Sequence, residues 1–132
     1  MKLSIKELFN IQVPSDQIDD IFLIFPGGKM ELRYNFFKDS IIYKTGFLFN
    51  RIQAFKFEAD LYPEGWKIDH SYDTLIQVVN SPWIEEMEEG QSEDIIKRRT
   101  LNHYLIYFHH FGCYEVVAAT WDTLPVEEGT WE

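Results

Sequence analysis

The stretch Asn102-His103-Tyr104-Leu105-Ile106-Tyr107-Phe108-His109-His110-Phe111-Gly112-Cys113-Tyr114-Glu115-Val116-Val117-Ala118-Ala119-Thr120-Trp121 decides the fold. Two apolar, aromatic-rich segments flank a short turn at Phe111-Gly112. That is the pattern of a buried β-hairpin, with strands over roughly 102–110 and 113–121. Just upstream, Glu85 to Asp94 holds six acidic residues in ten: Glu85, Glu86, Glu88, Glu89, Glu93 and Asp94. One half of this region reads as core and the other as a charged display.

Working outward, Met30, Leu32, Tyr34 and Phe36 alternate with Lys29, Glu31, Arg33 and Asn35. A period of two places one face on a core and the other in water, so the segment is a strand. The apolar run Ile21 to Phe25 closes on Pro26-Gly27-Gly28 and predicts a buried strand before it. After a turn at Lys38-Asp39-Ser40, the residues Ile41, Tyr43, Thr45, Phe47 and Phe49 form one face of a third strand. Gly46 inside it marks a bulge or a close backbone approach. Around Ala54-Phe55 the alternation slips, which requires a bulge or a fourth strand beginning only at Ala54. Tyr72 to Val79 reads as a further strand.

Helix signals are fewer. Ser4-Ile5-Lys6-Glu7 matches a capping box, and Ile5, Leu8 and Phe9 share a helical face, so a short helix to about Asn10 is expected. Ser81-Pro82 pairs a good cap with proline at the first helical position, and acids follow in the first turns. Gly90 is its expected stop. Ser92 to Leu101 is either a second helix or a loop, and the tail from Pro125 is expected to be loosely ordered. The fold class that follows is α+β: a mainly antiparallel, curved sheet of about six to eight strands with one or two short helices. Repeats and linkers are absent, and a chain of 132 residues suits a single globular domain. The expected core is Leu23, Phe25, Leu32, Tyr34, Phe36, Phe47, Phe57, Leu105, Tyr107, Val116 and Ala118.

Composition narrows the function. Hydrophobic residues make up 45% of the chain and aromatics 17%, ample for a packed core. Twelve basic residues against 22 acidic give a formal net charge of −10, which repels nucleic-acid phosphate and anionic membrane surfaces and attracts basic partners. The single cysteine, Cys113, excludes an internal disulfide and fits a reducing compartment. Leu3-Ser4-Ile5-Lys6-Glu7 is too charged and too short for the apolar core of a secretion signal, and the expected location is the cytoplasm.

His103, His109, His110 and Cys113 invite a zinc reading, which needs three or four converging ligands. On a strand His103 and His109 share a face and His110 points away. Polar caps on a sheet explain them more simply, and no metal or other cofactor is expected. Cys113 opens a strand rather than a helix, a position for a buried structural thiol rather than a nucleophile. Asp69-His70-Ser71-Tyr72-Asp73 collects catalytic residue types in one loop, but sequence neighbours rarely face one another. Glu31 and Glu115 are candidates for paired carboxylates in a cleft. Pro26-Gly27-Gly28-Lys29 lacks the spacing of a phosphate-binding loop. Lys97-Arg98-Arg99 follows the acidic run, and local pairing is its expected role.

The acidic run itself reads in two ways, as a solvated helix face or as a docking surface for a basic protein. Trp83 supplies an anchor in the second reading and a pin between helix and sheet in the first. Two pieces carry a resemblance: Ser81-Pro82-Trp83-Ile84-Glu85-Glu86, and His103 to Phe108 with Phe111 to Ala118. They resemble small acidic bacterial proteins of unassigned function, some of them similar to immunity proteins encoded beside secreted toxins. The resemblance implies a cytoplasmic protein with a toxin partner and transfers no functional residue. The leading expectation is a non-enzymatic binding module using Glu85, Glu86, Glu88, Glu89, Glu93, Asp94 and Trp83. The alternative is a small-molecule binder or enzyme on an aromatic-lined concave sheet face.

Overall fold

The computed structural model describes residues 3–59 and 63–132. Among the described residues, ten strands and three short α-helices follow in chain order. The strands are β1 (Ile5–Asn10), β2 (Ile18–Ile24), β3 (Met30–Lys38), β4 (Ile41–Asn50), β5 (Ala54–Ala59), β6 (Thr74–Val78), β7 (Asn102–Phe108), β8 (Gly112–Ala118), β9 (Thr120–Thr123) and β10 (Glu127–Glu128). The helices are α1 (Gly65–Ser71), α2 (Pro82–Glu88) and α3 (Glu93–Arg98). The strands form two open antiparallel sheets, so the expected α+β class holds, with more strands than the six to eight anticipated. The first sheet runs β1-β6-β7-β8-β5; the second runs β10-β4-β3-β2, with β9 also on β4.

The β7–β8 hairpin is the centre of the first sheet. Its register pairs His103 with Val117 and Leu105 with Glu115. Tyr104, Ile106, Phe108, Tyr114, Val116 and Ala118 face the second sheet, where Met30, Leu32, Tyr34, Phe36, Phe47 and Phe49 meet them. The opposite parity is buried too: Leu105, Tyr107 and Cys113 pack with Ile76 against Trp66 and Ile68 of α1. A strand covered on both faces reads as a continuous apolar run, and these two do.

Four expectations are corrected. The N-terminal segment is strand β1, not a helix; it pairs with β6 and carries a register shift between Glu7 and Phe9. The shift breaks the period of two and leaves Ile5, Leu8 and Phe9 at a helix-like spacing. The fourth strand of the run from Ile21 does not extend the sheet of the three before it, because the chain turns at Arg51 (φ 53°) and β5 joins β8 in the other sheet. Phe25 and Phe57 are exposed, at 55% and 46%. Phe57 has the core-facing parity, but β5 is an edge strand. The tail is ordered: β10 pairs β4, and Trp131 donates from Nε1 to the Thr45 carbonyl at 2.8 Å. The Arg33 guanidinium lies 4.1 Å from the Trp131 ring centre.

Gly46 is a close approach rather than a bulge. The β3–β4 register runs across it unbroken, and a Cβ there would sit 2.2 Å from the Leu32 carbonyl oxygen. Among the described residues no helix is long and apolar enough to cross a membrane.

Candidate functional site

The outer face of the first sheet carries a buried polar chain beneath α1 and α2. Glu115 on β8 is fully buried, and His103 on β7 and Lys67 on α1 are nearly so. The hairpin register makes His103 and Glu115 diagonal neighbours on one face. His103 Nε2 lies 2.8 Å from Glu115 Oε1, and Lys67 Nζ lies 2.8 Å from Oε2. Lys67 also donates to Glu58 of β5 at 3.2 Å, and Lys56 Nζ stands 3.8 Å from Glu115. A buried carboxylate is tolerated only when paired and hydrogen-bonded, and both of these oxygens are.

The chain continues into α2. Ser81 is the cap of that helix, and its Oγ accepts the Ile84 amide at 3.2 Å. The same oxygen lies 2.7 Å from His103 Nδ1. One assignment satisfies every contact: the Ser81 hydroxyl donates to Nδ1 and Nε2–H donates to Glu115. Trp83 then packs its ring edge-on to His103, centroids 5.2 Å apart, and the Lys56 ammonium lies 4.4 Å over it. The acidic helix is thus tied to the sheet through Ser81, His103, Glu115 and Lys67.

Electrostatics follow from that pairing. Burial works to raise the Glu115 carboxyl, but the bonds from His103 and Lys67 and the charges of Lys67 and Lys56 outweigh it and hold it below the usual carboxylate range. Burial works to lower the Lys67 ammonium, but the bonds and charges of Glu115 and Glu58 outweigh it and hold it above the ordinary lysine value. Cys113, one strand repeat from Glu115, is fully buried, and burial, followed by the Glu115 charge, pushes its thiol far up.

Beside this chain lies a cavity of about 330 Å³, bordered by Trp66, Lys67, Trp83, His103 and Glu115 among others. His109 is not there. It sits in the hairpin turn with its ring 3.8 Å from that of His110, and it also meets Tyr72. Glu31 lies in the second sheet, paired with Arg33 at 2.9 Å and separate from Glu115. The Asp69–Asp73 segment spans the end of α1 and the turn after it, where Ser71 bonds the Lys67 carbonyl and Asp73 accepts the Ser15 amide at 3.1 Å.

The acidic run stands on α2, α3 and the turn between them. Glu85, Glu86, Glu89, Glu93 and Asp94 are exposed, while Glu88 and Trp83 are half-buried. None of the ion pairs among the described residues involves any of the six acids. Local pairing with Lys97-Arg98-Arg99 was expected and is not formed. Lys67 was missed by sequence reasoning, since its segment read as a turn and loop. Polar His103 and Glu115 at buried positions of an apolar hairpin were the signal that a site lay there. Compared with known proteins, the chain matches no family model, no curated protein and no solved structure.

Proposed function

We propose that this protein is a non-enzymatic binding module that neutralises a basic protein partner through the acidic face of α2 and α3. Glu85, Glu86, Glu88, Glu89, Glu93 and Asp94 supply the field and Trp83 the apolar anchor. The observation that carries the reading is that five of the six acids are exposed and none is neutralised by an ion pair among the described residues. A field dominated by acids, fixed to the sheet, steers an oppositely charged surface into register. The resemblance of the C-terminal half to immunity-like proteins makes a toxin the partner class. The cytoplasm is the place of action, a reducing compartment that suits the lone thiol of Cys113. The test is affinity capture from lysate with the wild type and with a variant carrying Glu85→Gln, Glu86→Gln, Glu88→Gln and Glu89→Gln. A basic protein retained by the wild type at low salt and lost by the variant supports the reading. Identical retention by both removes it.

A second reading, a small-molecule binder or enzyme, rests on the cavity of about 330 Å³ beside His103 and Glu115. That is near the lower end of ligand pockets, and its charged groups are already bonded to one another. A ligand whose binding is lost in Trp83→Ala, while partner capture is unchanged, would put this reading first.

A further inference from the structure

In a chain of net charge −10, three of the four arginines line a single cavity. Arg51, Arg98 and Arg99 border a space of about 310 Å³ together with Asn50, Gln53 and Thr100, and among the described residues no carboxylate lines it. None of the ion pairs among the described residues involves these arginines. The Nε of Arg99 is buried and has no hydrogen-bond partner. A buried guanidinium nitrogen left unpaired is costly, and the residue that carries it lies on the wall of this cavity.

The floor of the cavity is built, not incidental. It lies where the chain passes between the sheets, after β4 and after β8. There the Ala119 amide donates to the Asn50 carbonyl at 2.9 Å, and the Gln53 amide to the Val117 carbonyl at 2.8 Å. Asn50 Nδ2 donates to Thr120 Oγ1 at 3.0 Å. These bonds fix the backbone that carries Arg51. A second cavity shares Arg51 and extends the basic wall to Lys29.

The geometry points to an anion site for a small, multiply charged phosphate ligand. Guanidinium forks match phosphate oxygens in pairs, and three of them oppose more charge than one carboxylate brings. Among the described residues the wall contains no aromatic side chain to stack a base, and recognition falls on the phosphate groups. The net negative charge of the whole molecule disfavours anions at range, so occupancy requires several short contacts at once. The site adjoins the acidic face at α3, where Arg98 ends the helix that Glu93 and Asp94 begin, but none of those acids lines it.

Calorimetric titration of the full chain with inorganic pyrophosphate tests the assignment, with inorganic phosphate and acetate as comparators. Saturable pyrophosphate binding, tighter than phosphate and absent for acetate, is expected. Arg98→Gln, at an exposed position, should weaken it by about tenfold, the effect of one lost charged hydrogen bond. Arg51→Asn keeps a residue tolerant of the left-handed backbone and should weaken it similarly. Lys44→Gln, remote from the cavity, should leave it unchanged. Absence of saturable binding, equal response to all three anions, or unaltered affinity in both arginine variants would overturn the proposal. So would tighter binding of a single-stranded oligonucleotide that Arg98→Gln leaves intact.

Discussion

Glu115 is the residue on which the outer face of the first sheet depends. Its two oxygens hold His103 and Lys67, each at 2.8 Å, beneath α1 and α2. Removing one partner of a buried charge pair costs far more than the pair itself contributes, because the other charge stays buried. Glu115→Ala should therefore lower unfolding stability by about 3–5 kcal/mol, read from urea denaturation. A loss within ~0.5 kcal/mol, the range of ordinary surface changes, would show the network to be dispensable.

The pH profile carries the same signature with two signs. A carboxyl held low in the folded state stabilises above its unfolded value, and that stability is lost as pH falls through the folded value. An ammonium held high stabilises below its unfolded value, and that stability is lost as pH rises through the folded one. Stability should run level from about pH 5 to about pH 10 for this pair and fall on both sides. Glu115→Gln should flatten the acid limb more than the alkaline one in denaturation midpoints taken across pH.

At the level of elements, α2 and β1 show what local sequence can and cannot hold. Ser81 announced α2 because a cap acts on its own neighbours, and the Ile84 amide is bonded as a cap requires. What it also does, bonding His103 across 22 residues, left no local trace. Ser81→Ala should cost about 0.5–2 kcal/mol, typical of a lost cap. It should also speed hydrogen exchange at the Ile84 amide while leaving β7 and β8 protected. Equal exchange in the two proteins would mean that α2 is held by Trp83 alone.

The strand β1 failed to announce itself because Ser4 and Glu7 fit a capping box and its bulge spaced Ile5, Leu8 and Phe9 like a helix. Its partner β6 lies some 70 residues on, where local reading does not reach. The β7–β8 hairpin and β3 were legible for the opposite reason: alternation and continuous apolarity are printed in the segment itself. Half of the site was visible in the same way, as His103 and Glu115 in an apolar hairpin. Lys67 was not, because a seven-residue helix between Glu64 and Tyr72 carries no side-chain cap and little periodicity.

For the whole molecule, two regions of opposite sign adjoin at α3. The acids of α2 and α3 form an exposed negative face, and Arg51, Arg98 and Arg99 line a cavity at the crossing between the sheets. Charge on an exposed face acts chiefly on encounter, so its removal should slow association more than it speeds dissociation. The most direct measurement of the central claim is the association rate of the captured partner, by stopped flow, across ionic strength for wild type and the four-Gln variant. The wild-type rate should fall steeply as salt screens the field, and the variant rate should be slower with a nearly flat salt dependence. Equal rates and equal salt slopes for the two proteins would contradict it.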